Sequence, residues 1–180
     1  MKKLALSILT IMAISSTSNA ADPSLYPNSI SIMGGYTISA SESRLDNNHA
    51  YSFRYTNNDF GIDNFGLGAF QLALDYTPDI KYKDNNAQTS SIRFGPNLLW
   101  YLNSPSEITP YFLLGLGLEH LSNPTGDYSS LSFYANGGAG VEFQIRNDIS
   151  LVGEAKYHYA NEKRKGTTLS CGVKFSFGDY

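Results

Sequence analysis

Three sets of residues in this 180-residue chain have types and spacings that could do chemistry. The first comprises two histidines, each followed closely by small or polar residues, in His120-Leu121-Ser122-Asn123 and His158-Tyr159-Ala160-Asn161. A histidine activates a serine hydroxyl as a nucleophile when an acid orients the imidazole. His120 has Ser122 in that position, whereas the matching residue beside His158 is Ala160. The second set is four carboxylates, Asp75, Glu119, Glu142 and Glu154, which could act as a metal or acid–base cluster. The third is Lys163-Arg164-Lys165, the one run of charge, which either solvates a loop tip or contacts a polyanion. Together with Arg44, Lys163, Arg164 and Lys165 are the candidate surface-loop contacts. The lone Cys171 excludes an internal disulfide framework and argues against a cysteine-rich zinc site. No cofactor is expected.

The elements that must position these residues are read from composition and periodicity. Only 16% of residues are charged, while aromatics reach 13%, with 13 Tyr and 10 Phe. That balance argues against disorder, which needs high charge and few aromatics. A net charge of −3 leaves no basic footprint for nucleic acid. The mean hydropathy of −0.24 is that of an ordinary soluble protein. Met1-Lys2-Lys3, the apolar run from Leu4 to Ile14 and the small residues Ser18-Asn19-Ala20 form the three-part pattern of a signal peptide over residues 1–20. The apolar run is too short to span the ~30 Å of a bilayer core. Loss of Lys2 and Lys3 leaves 11 of the 13 basic residues against 16 acidic ones, a formal −5. Residues 21–180 then form a single domain.

In that domain period two dominates and no amphipathic helix is evident. Ile30, Ile32, Tyr36 and Ile38 alternate with Ser31, Met33, Thr37 and Ser39. Phe112, Leu114, Leu116 and Leu118 alternate with Leu113, Gly115, Gly117 and Glu119. Phe70, Leu72, Leu74 and Tyr76 share a face that is expected to continue through Ile80 and Tyr82. Seven clusters rich in Asn, Asp, Ser, Gly and Pro separate eight such runs. The expected fold is all-β, an eight-stranded antiparallel up-and-down barrel, since an even-numbered sheet can close without an exposed edge.

A soluble barrel would turn its apolar face inward around a ligand, and a transmembrane barrel would turn it outward to lipid. The polar face decides for the transmembrane β-barrel. It carries Arg54, Asp75, Arg93, Glu119, Glu142, Glu154, Lys156 and Lys174, four charges of each sign. It also carries Gly35, Gly95, Gly115, Gly117, Gly138, Gly140 and Gly172. A water-facing surface has no need of so many glycines, which weaken strands, whereas a narrow lumen has. Balanced charges in such a lumen form ion pairs, which outweighs the metal or acid–base reading. The expected interior is a plug of ion pairs and small residues. Tyr36, Tyr51, Tyr55, Tyr76, Trp100, Tyr157, Tyr159 and Phe177 lie toward strand ends, as aromatic girdles do.

The segments from Thr109 to Glu119, from Asn136 to Phe143 and from Ile149 to Tyr157 resemble the fifth, sixth and seventh strands of OmpA-type and opacity-type outer-membrane barrels. The resemblance implies a periplasmic N-terminus and surface loops at residues 40–49, 83–89, 122–130 and 160–166. It implies outer-membrane lipid, lipopolysaccharide, the barrel-assembly machinery and host surface proteins as partners, with adhesion or host contact as the loops' role. The spacing around Leu45-Asp46-Asn47-Asn48 and Ile80-Lys81-Tyr82-Lys83 is similar to that of fibronectin-binding adhesins of this family. Full OmpA proteins continue into a peptidoglycan-binding domain, which is not expected in a chain stopping at Tyr180. Family barrels usually end on an aromatic in register with the last strand, and here either Phe177 takes that role or Gly178-Asp179-Tyr180 overhangs. The two histidine segments resemble the His-x-Ser-Asn motif of outer-membrane lipid A deacylases. However, Ala160 replaces the nucleophile beside His158, and Tyr134 stands where the acid should follow Ser122. No enzymatic activity is expected. A small-solute porin is the main rival reading.

Overall fold

Side chains that alternate in polarity must leave a strand on opposite faces, so each periodic run is suited to a sheet with two different surroundings. The computed structural model describes residues 26–41, 43, 45–58, 68–83, 87–102, 107–124, 130–160 and 164–178. They form β1 (Asn28–Ser39), β2 (Asn48–Asn57), β3 (Gly68–Lys81), β4 (Gln88–Tyr101), β5 (Ile108–Leu121), β6 (Leu131–Arg146), β7 (Ile149–Ala160) and β8 (Arg164–Phe177). Each strand pairs antiparallel with the next, and β1 pairs with β8, giving a closed barrel. The expected eight-stranded up-and-down barrel is the fold observed. The closing seam runs from Asn28 opposite Phe177 to Ser39 opposite Gly166.

One end of the barrel, the near end, carries the start of β1, the finish of β8 and the β2–β3, β4–β5 and β6–β7 connections. The far end carries the other four connections, the regions expected to be surface loops. The expected loop at residues 160–166 is shorter than its sequence reading. Arg164, Lys165 and Gly166 belong to β8, and only residues 161–163 separate β7 from it. Asp179, Tyr180 and the segment expected to be a signal peptide lie outside the described residues.

The outer face is the apolar one. Leu116 is 65% exposed and Phe133 72%, while Arg54 and Lys156 inside are 1% and 2% exposed. An apolar surface continuous around a whole molecule needs lipid or a partner against it. The strands run from 10 to 16 residues, enough to cross a bilayer core at a tilt.

Ile80 and Tyr82 depart from the expected face. Both point inward and are buried, at 5% and 2% exposure. From the Thr77–Ser91 pair to the Ile80–Thr89 pair, β3 advances three residues while β4 advances two. The extra residue is a β-bulge at Pro78-Asp79, where proline has no N–H for the ladder and Asp79 takes a φ of 47°. One inserted residue reverses the alternation beyond it. Ile80 and Tyr82 therefore pack with Leu45 at the far end, where Leu45 also bridges to Tyr82.

The interior is likewise more than ion pairs and small residues. Met33, Ala69, Leu99, Tyr101, Tyr111, Leu113 and Val152 form an apolar layer toward the near end.

Candidate functional site: the charged lumen

Inward-facing positions on every strand supply the lumen, and glycines set how closely the strands approach. Gly95 on β4 faces Gly117 on β5, and a Cβ on Gly95 would lie 2.7 Å from the Gly117 Cα. A Cβ on Gly140 would run into the ring of Tyr111, so glycine there makes room for a lumen aromatic.

Three groups of charge fill the space. In the middle, Arg54 Nη1 donates to Glu154 Oε2 at 2.6 Å, and its Nη2 lies 3.8 Å from Asp75 Oδ1. Asp75 also accepts from Lys156 Nζ at 2.6 Å and from the Ser52 hydroxyl at 2.5 Å. The Tyr111 hydroxyl donates to Glu154 at 3.0 Å. Amides extend this group across the barrel, with Asn97 donating to Gln71 at 2.9 Å and Asn136 to Asn97 at 3.2 Å.

Toward the near end, Lys174 Nζ donates to both Glu142 oxygens, at 2.9 and 2.8 Å. The Tyr101 hydroxyl donates to the same carboxylate at 3.0 Å. Lys174 Nζ also stands 5.4 Å from the centroid of the Tyr101 ring, within cation–π range. Toward the far end, Glu119 accepts from Ser91 at 2.8 Å and lies 3.8 Å from Arg93 Nε and 3.5 Å from Arg164 Nε. Such pairs hold in a low-dielectric interior only where opposite charges and hydrogen bonds offset the loss of water.

All eight residues expected in the lumen, Arg54, Asp75, Arg93, Glu119, Glu142, Glu154, Lys156 and Lys174, are buried there in ion pairs. Arg164 is a correction. It was expected at a solvated loop tip, yet it is 2% exposed and turned into the lumen beside Glu119. The reason is that β8 begins at Arg164, and the residue has the inward parity of Thr168 and Lys174. Lys165, its neighbour, is half-buried at the far rim. Arg44 and Lys163 lie outside the described residues. The expectation also missed Tyr101, Tyr111, Gln71, Asn97 and Asn136. Their position on the polar parity was the available signal.

The arrangement leaves the four carboxylates committed to cations rather than grouped for a metal. Among the described residues no three of His, Cys, Asp and Glu converge on a metal position. His158 is buried in the lumen, and Ala160 beside it is fully buried. His120 faces outward from β5 and is exposed, and the Ser122 hydroxyl pairs with that of Ser90 at 2.6 Å. Tyr134, in the place of the missing acid, is buried.

Residues 4–177 match the family described as outer membrane protein beta-barrel domain. A search of curated proteins found no relative. Among solved structures, Neisserial surface protein A aligns with a TM-score of 0.64 at 18% identity, over 84% of this chain and 97% of that one. The N-terminal β-barrel domain of Pseudomonas aeruginosa OprF gives 0.54 at 18%, over 84% and 98%. The outer membrane enzyme PagL gives 0.50 at 18%, over 83% and 99%. At these identities the likeness shows the fold alone. The family match spans nearly the whole chain and agrees with the apolar exterior and charged interior, so the chain belongs to the outer-membrane β-barrel protein family.

Proposed function

We propose that the protein is a non-enzymatic integral barrel of the outer membrane, exported by residues 1–20, with a structural role and a contact surface formed by its far-end loops. The observation that carries this reading is the filled lumen. An apolar layer, the central Arg54–Glu154 and Lys156–Asp75 pairs and the Glu119 group succeed one another along it. An eight-stranded barrel has an interior just wide enough for side chains to fill, and these side chains are bonded to one another. The four far-end connections gather at one rim, where they can meet lipopolysaccharide or a host surface, and a Neisserial relative in fold is itself a surface protein. Outer-membrane lipid surrounds the apolar belt, and the assembly machinery inserts it.

Planar-bilayer recording tests the plug directly. The refolded protein is expected to give no reproducible channel openings. Steady openings whose size changes on Lys156→Ala would overturn the reading in favour of a small-solute porin. The resemblance of the two histidine segments to the lipid A deacylase motif makes lipid A deacylation the second reading to test, and the structures that share the fold include an outer membrane enzyme. The environments of His120 and His158 disfavour it. Lipid A incubated with the purified barrel is expected to keep every acyl chain, as read by mass spectrometry.

A further inference from the structure

Between the Glu119 group and the far-end cap there is a cavity of ≈ 20 Å³, enough for about one water-sized guest. Arg93, His158, Glu119, Ser91, Thr37 and Thr77 line it, under Leu45 and Ile80.

Its buried donors are not all used. Arg93 is 3% exposed. Its Nη2 reaches Thr77 Oγ1 at 3.3 Å. Its Nε lies 3.8 Å from Glu119 Oε1, beyond hydrogen-bond range, and neither Nε nor Nη1 has a hydrogen-bond acceptor among the described residues. A guanidinium only donates, so what those positions want is an acceptor. The Nδ1 of His158, a residue 7% exposed, is also buried without a hydrogen bond.

Both signs of charge meet at the cavity, where Arg93, Arg164 and Lys165 stand with Glu119 and Asp46. Lys156, the next cation toward the middle, is committed to Asp75. Glu119 Oε2 also has no hydrogen bond, but its charge is met by Arg164 Nε at 3.5 Å.

We propose that this cavity is a binding site for one small monovalent anion of halide size, held by the open N–H groups of Arg93 and an N–H of His158. Sulfate, phosphate and organic anions are too large for it. The bound ion would complete the plug at its loop end and tie β4 to β7.

The test uses bromide as the probe. Crystals of the refolded full barrel grown in sodium bromide should show an anomalous peak within hydrogen-bond distance of Arg93 Nη1. In detergent, the thermal unfolding midpoint should rise saturably with sodium bromide and stay flat in sodium gluconate at equal ionic strength. Arg93→Gln should abolish the difference between the salts. If that variant does not fold, His158→Phe, which removes only one donor, should raise the half-saturating bromide several-fold. Density for water alone, equal midpoints in the two salts, or a crystal peak with no saturable shift would each overturn the proposal.

Discussion

Lys174 and Glu142 form the most self-contained ion pair in the lumen, with two short hydrogen bonds and Tyr101 as the third member. Desolvation makes such a pair asymmetric. Removing one partner strands the other charge, at about 3–5 kcal/mol, whereas replacing both by apolar residues is often neutral or stabilising. Lys174→Met is therefore expected to destabilise the vesicle-refolded barrel by about 3–5 kcal/mol in urea unfolding. The double variant Lys174→Met with Glu142→Leu should recover most of that loss, and a double variant no better than the single one would refute the pairing. At this scale the lumen charges were legible because parity alone assigns a residue to a face. Tyr101 and Tyr111 were harder to read. A tyrosine fits both a membrane rim and a buried carboxylate, and only the hydrogen bonds to Glu142 and Glu154 distinguish the two.

At the scale of the strand, parity works until something inserts a residue. The alternation of β3 is continuous from Phe70 to Tyr76, and the sequence reading carried it on through Ile80 and Tyr82. Pro78-Asp79 breaks the phase, and a proline within a run was the visible warning. The strand's paired register, which decides the phase, depends on β4 and is not a local property. Single-cysteine spin labels in a Cys171→Ser background, which removes the native exposed thiol, give the test. A label at Tyr76→Cys should collide readily with membrane-dissolved oxygen, and one at Ile80→Cys should not. High oxygen accessibility at both sites would mean that β3 runs straight and that Ile80 faces lipid. The start of β8 was obscured for a related reason. Lys163-Arg164-Lys165 has the composition of a loop, and only pairing with β7 through Ala160 draws Arg164 into the ladder.

For the whole molecule, closure depends on two strands at opposite ends of the sequence. Nothing local ties β1 to β8. The even strand count and the need to leave no free edge made closure predictable, while its register is set by the fit of all eight strands. That register puts Gly34 directly opposite Cys171, both on the outer face. Directly opposed residues on antiparallel strands have Cα atoms ~4.5–5.5 Å apart, inside the ~4.4–6.8 Å range that a disulfide spans. A Cβ added at Gly34 would meet nothing within 4 Å, so a side chain fits there without displacing a neighbour. Gly34→Cys is thus expected to form a disulfide with Cys171 on oxidation by a membrane-permeant catalyst such as copper phenanthroline. The bond would close most of the chain into one loop and should stabilise the barrel by on the order of 4 kcal/mol, reversed by reductant. Cysteines at Gly34 shifted by one residue, as in Met33→Cys or Gly35→Cys, place the thiol on the lumen side and should not cross-link. Efficient cross-linking from those positions, or none from position 34, would show that β1 and β8 meet in another register or not at all.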